Sequence, residues 1–204
     1  MIQAAVAIYT QEQRLVSRGW YTPLHILIYP INADGSAATG RYIETLSTQN
    51  FSDIDAFMAR ESERYDIVTS TPTITRLGAE VDAIPPAPPA PDARVISIAL
   101  WSLRLRLWAL WNTSDDSREA NSARMFVLYH LPEPNIKLQL SLGMEKGLLG
   151  VVHAFATPAQ TDQNNIIIAH ELLHTVGATD KYATGGEPLY PHGYAELDRE
   201  PLFP

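Results

Sequence analysis

A mixed α/β (α+β) fold is predicted by three observations. Short apolar, β-type runs recur from residue 24 to residue 156, segments with helical periodicity lie between them, and 148–156 (LLGVVHAFA) is apolar on both faces. The last feature is what a strand inside a sheet covered on both sides requires. With 204 residues, 46% of them hydrophobic, the chain has enough apolar content for one sizeable core. The expected organisation is therefore one domain over 1–204.

Taken in order, LHILIYP (24–30) reads as a strand closed by Pro30 and the turn-rich NADGS stretch. Residues 52–65 read as a helix, with Ser52 as cap, Asp55 as its reciprocal partner, and Ile54, Phe57, Met58 and Tyr65 on one face. The segment 66–84 holds two short β-type runs, DIVTS and TITRL. In IPPAPPAP (84–91) five prolines fix φ and remove donors, which predicts a stiff extended spacer on the surface.

VISIALWSLRLRLWALWN (95–112) is the only candidate membrane span and about long enough to cross a bilayer. Arg104 and Arg106 would each cost about 2.5–3.5 kcal/mol near the midplane, however. The expectation is a buried helix with its arginines paired or surface-directed, and with Trp101 and Trp108, seven residues apart, in the core. After a polar loop at 112–122, MFVLYHL (125–131), IKLQLSL (136–142) and 148–156 each read as strands.

Composition excludes several functions. Fifteen Lys and Arg against 23 Asp and Glu give a net charge of −8, a surface that repels phosphate backbones, so no nucleic-acid partner is expected. The chain has no cysteine, which removes disulfides, thiolate-held zinc, iron–sulfur clusters and thiol nucleophiles together. The cellular compartment stays open.

The chemistry concentrates in NNIIIAHELLHTVGATDKY (164–182). Asn164 or Asn165 can cap a helix, Ile166 to Ile168 with Leu172, Leu173 and Val176 form its buried stripe, and Gly177 ends it. His170 and His174, four residues apart, project from one face with nitrogens that can share an ion. Glu171 lies about 100° further round, placed to take a proton from water without binding the ion itself. This H-E-x-x-H spacing is a zinc-hydrolase arrangement, with the glutamate as general base. Asp180, three residues beyond Gly177, is the expected third ligand. Glu187 and His192, and more weakly Glu196, are alternatives to it. Tyr182 is a candidate for stabilising the oxyanion formed at an attacked carbonyl. His153 is expected to be a satisfied core or rim residue, and His25 and His130 carry no assigned role.

His170, Glu171, His174, Gly177 and Asp180 resemble the signature of zincin metallopeptidases, the metzincin-like variety with aspartate as third ligand, snapalysin among them. HELLHTVGATDKY followed by PHGYAE is also similar to a group of uncharacterised bacterial proteins associated with a zincin function, some of which carry an amino-terminal membrane anchor. The resemblance covers about residues 148–197. It implies a mixed sheet packed on an active-site helix, Zn²⁺ as cofactor, a peptide or protein substrate along an edge strand, and membrane association through a segment outside this chain. The four methionines, Met1, Met58, Met125 and Met144, all precede Asp180, so the methionine turn of metzincins has no counterpart downstream. The chain is then either a shortened version of a longer protein or one with a differently built floor to its site. The expected function is zinc-dependent peptide hydrolysis; the alternatives are a zinc-binding module without catalysis and a protein-interaction domain.

Overall fold

In a computed structural model, residues 19–67, 69–90, 92–113, 121–132, 138–145 and 147–180 are described. They form a mixed α/β arrangement built on one five-stranded sheet. The elements are β1 (Leu24–Asn32), α1 (Ala37–Glu44), α2 (Ser52–Arg64), β2 (Thr73–Leu77), α3 (Val95–Trp111), β3 (Ser122–His130), β4 (Leu142–Met144), β5 (Leu149–Phe155) and α4 (Thr161–Thr175). The strand order is β2-β1-β3-β5-β4. All neighbours run parallel except β4, which pairs antiparallel to β5 along the edge.

The topology follows from handedness. From β1 the chain crosses to β2 on one side through α1 and α2, then returns past β1 to β3 through α3. Reversing direction while keeping right-handed crossovers puts α3 on the opposite face from α1 and α2. The core is accordingly double. Ile26, Ile28, Met125, Val127, Val152 and Ala154 point toward α1, α2 and α4. Tyr29, Ile31, Phe126, Leu128, Leu149 and Val151 point toward α3. The alternation along each strand divides the apolar residues between the two clusters.

Several local expectations are corrected. β1 does not end at Pro30 but continues to Asn32. The N–H groups of its even-numbered residues face β2, whose pairing stops at Leu77 opposite Ile28, so the donor that Pro30 lacks is not needed. Helix α1, capped by the Ser36 hydroxyl accepting from Thr39 N–H at 3.0 Å, follows directly on the NADGS turn, in a stretch to which the sequence reading assigns no element. Ser52 does not cap α2, because a 3-10 turn at Thr48–Phe51 runs directly into the helix. Asp55 instead reaches β2, accepting from the Thr73 hydroxyl at 2.6 Å and from the Thr75 N–H and hydroxyl at 2.9 and 2.8 Å. Tyr65 is exposed rather than on the buried face of α2. No strand forms in the described part of DIVTS, whereas TITRL is β2.

The run at 136–142 is not a strand in its described part before Leu142. Leu140 is 92% exposed, and β4 is only three residues long. Part of the proline segment packs on α3, with Trp101 Nε1–H donating to the Pro86 carbonyl at 2.9 Å. Helix α3 itself is not buried. Only Leu105 and Ala109 are enclosed, Trp101 and Trp108 are partly buried against the sheet, and most of its remaining apolar side chains face solvent. Among the described residues no helix is long and apolar enough to cross a membrane.

Candidate metal centre

Helix α4 starts at Thr161, earlier than a cap at Asn164 or Asn165 would allow. Both asparagines lie inside the helix and are buried because each holds a neighbour. Asn164 donates through Nδ2 to the Phe155 carbonyl at 3.0 Å and accepts from the Phe155 N–H at 3.2 Å, completing the end of β5. Asn165 donates to the Asn50 carbonyl at 2.7 Å, tying α4 to the turn before α2. Of the expected stripe, Ile168 and Leu172 are fully buried, Ile167, Leu173 and Val176 are partly so, and Ile166 is 62% exposed. Ile166, four residues before His170 and eight before His174, lies on their side of the helix, turned away from the core.

The helix ends in a Schellman turn. Gly177, at φ +98°, donates to the His174 carbonyl at 3.1 Å, and Ala178 N–H donates to the Leu173 carbonyl at 3.0 Å. Positive φ is nearly free for glycine and costly for other residues. The turn folds residues 178–180 back beside the last helical turn. The Ala178 carbonyl then lies 2.9 Å from His174 Nδ1, which fixes that nitrogen as the protonated one and leaves Nε2 with a lone pair.

His170 Nε2 and His174 Nε2 are 3.0 Å apart, and Asp180 Oδ1 is 3.6 Å from the first and 3.4 Å from the second. Ligands about 2.05 Å from a tetrahedral ion stand about 3.3 Å from one another. The three observed edges bracket that length, and His170, His174 and Asp180 could hold a metal ion. The rings are nearly perpendicular, at 88°, so both lone pairs can aim at one point from different directions. The side chains are 37%, 21% and 38% exposed, an open position from which a small molecule can approach. Burial and the adjacent His174 hold the His170 imidazole below its ordinary pKa, favouring the neutral form that ligates a metal.

Glu171 is 6% exposed. Burial pushes its carboxyl pKa up, His174 pulls it down, Asp180 pushes it up, and a hydrogen bond from the Gly143 N–H stabilises the ionised form. Gly143 is the part of the site that the sequence reading misses. A Cβ there would overlap the Glu171 carbonyl oxygen and come within 2.6 Å of His174 Cβ, so only glycine lets the edge strand β4 touch α4 so closely. In the sequence this residue is one glycine in a run, LSLGMEKG, and nothing local distinguishes it.

His153 and His130 lie on the α3 face of the sheet, away from the side packed on α4. They contact one another, Nδ1 to Nε2 at 3.0 Å, and His153 is buried, in keeping with a satisfied core residue. Tyr182, Glu187, His192 and Glu196 lie outside the described residues. No family model, no curated protein and no solved structure matches this chain.

Proposed function

We propose that the chain is a zinc-dependent hydrolase of the zincin type, acting on peptide bonds. The observation that carries the reading is the convergence of two imidazoles and one carboxylate at tetrahedral spacing, with Glu171 alongside. Two neutral nitrogens and one carboxylate oxygen suit zinc and leave one position open. The antiparallel edge strand β4 also supports it, because it borders α4 and pairs only with β5 among the described residues. A peptide extended along that edge would lie beside the His pair.

Bound between His170, His174 and Asp180, zinc would supply a positive charge that acidifies water and polarises a carbonyl. The chain's own residues do the rest. Glu171, buried and held by Gly143 N–H, accepts a proton from the attacking water and passes it to the departing amine. The Ala178 carbonyl keeps His174 in the tautomer that presents Nε2. Tyr182 would stabilise the developing oxyanion.

Elemental analysis of the purified protein should give one zinc per chain, lost in His170→Ala and in His174→Ala. Glu171→Gln should keep the zinc and lower peptide-library cleavage by about 10²–10⁴-fold. A protein that binds no divalent metal would refute the reading. Zinc bound at full stoichiometry with no cleavage of peptide or protein substrates by the intact chain would replace it with a non-catalytic zinc module.

A further inference from the structure

Helix α3 is seated on the sheet by Leu105 and Ala109. On the opposite side, at about 100° per residue, runs a second apolar stripe. Ile96, Leu100, Leu103 and Leu107 form it, and they are 63%, 56%, 47% and 39% exposed. Their steps of four, three and four residues are the d-a-d-a spacing of a heptad seam. Isolated apolar residues on a surface need no explanation, but four in one stripe about 16 Å long do.

In that frame Arg104 falls at an e position and Arg106 at a g position, roughly 70–90° to either side of the stripe. Among the described residues no ion pair to either arginine occurs, although Arg106 Nε–H donates to the Ser102 carbonyl at 3.2 Å. Helix α3 contains no acidic residue, whereas the chain as a whole carries a net charge of −8. The positive flanks are therefore local to this seam.

The geometry points to a docking site on α3 for an amphipathic helix of a partner protein, apolar at its a and d positions and Asp or Glu at its e and g positions. Apolar residues of the partner fill the seam between Ile96 and Leu107, and its carboxylates meet Arg104 and Arg106. A second copy of this chain fits less well. In a parallel pair Arg104 would face Ala99 and Arg106 would face Trp111, and α3 has no carboxylate to offer in any register. A lipid surface needs no heptad spacing, and the chain's net charge of −8 opposes an anionic leaflet. This inference is independent of the metal centre.

Fluorescent helical peptides with Leu at every a and d, and either Glu or Lys at every e and g, test it by anisotropy with the full chain. The Glu peptide should bind at least about tenfold tighter than the Lys peptide at low ionic strength. Leu103→Asp, on the solvent side, should abolish binding with the melting temperature unchanged. The double variant Arg104→Glu/Arg106→Glu should prefer the Lys peptide. Equal affinities, no binding, or undiminished binding by Leu103→Asp would overturn the proposal. Tighter binding to phosphatidylserine vesicles than to the Glu peptide would replace it with a membrane surface. A Leu103-dependent dimer in sedimentation without peptide binding would replace it with a second copy.

Discussion

His174 shows how much one side chain depends on its neighbours here. Its Nε2 is aimed by the Ala178 carbonyl at Nδ1, and that carbonyl is in place only because Gly177 turns the chain. Charge acts at the same scale at His153, whose pKa burial and the facing His130 hold down to about 4. An unfolded histidine titrates near 6.5. Between those values the unfolded chain binds the proton and the folded chain does not, so stability falls as pH drops from about 6.5 toward about 4. Urea unfolding at a series of pH values should show this slope, and His153→Gln should flatten it. A slope unchanged by the substitution would remove His153 as its source.

Among the elements, the contact of β4 with α4 decides most about the site. The edge strand has three residues, and its middle one, Gly143, meets the backbone of Glu171 and the Cβ of His174 while donating to the Glu171 carboxylate. The obstructing atoms are mainly backbone and Cβ, so relief requires the helix itself to shift. Gly143→Ala should cost about 1–3 kcal/mol, as overpacked contacts do, and, on the proposed zinc reading, weaken zinc binding as well. Thermal melts with zinc titration check both, and a variant with wild-type stability and affinity would show the contact to be loose. Element scale also explains Asn164 and Asn165, which act as clamps on Phe155 and Asn50 from within α4.

Across the whole molecule, the sheet separates two apolar clusters, one under α1, α2 and α4 and one under α3. The candidate metal donors His170, His174 and Asp180 sit where the first of these layers reaches the sheet edge, so an ion there would join the exit turn of α4 to the helix. Binding that favours the folded chain stabilises it by mass action, about 2.7 kcal/mol at a hundredfold excess over Kd. For a chain of this size that is a melting shift of roughly 5–10 °C. A melting temperature unaffected by zinc or by chelation would speak against a site formed only in the fold.

The fold class, β1, β2, β5 and the helical spacing of His170, Glu171 and His174 were legible because each rests on local periodicity, which needs no knowledge of neighbours. Gly177 was legible for the same reason, since a glycine after a periodic run marks a helix end. The length of β1 past Pro30, the start of α4, the place of Ile166 outside the core, and the role of Gly143 were not. Each depends on which atoms arrive from elsewhere in the chain: the end of β2, the Phe155 peptide, the side of α4 that meets the sheet, the closeness of β4. Helix α3 shows the division most clearly. Its apolar composition is set by the sequence, but which stripe met the sheet and which was left to solvent was decided only when the chain crossed to the second face, because a helix apolar nearly all round has no intrinsic inner side.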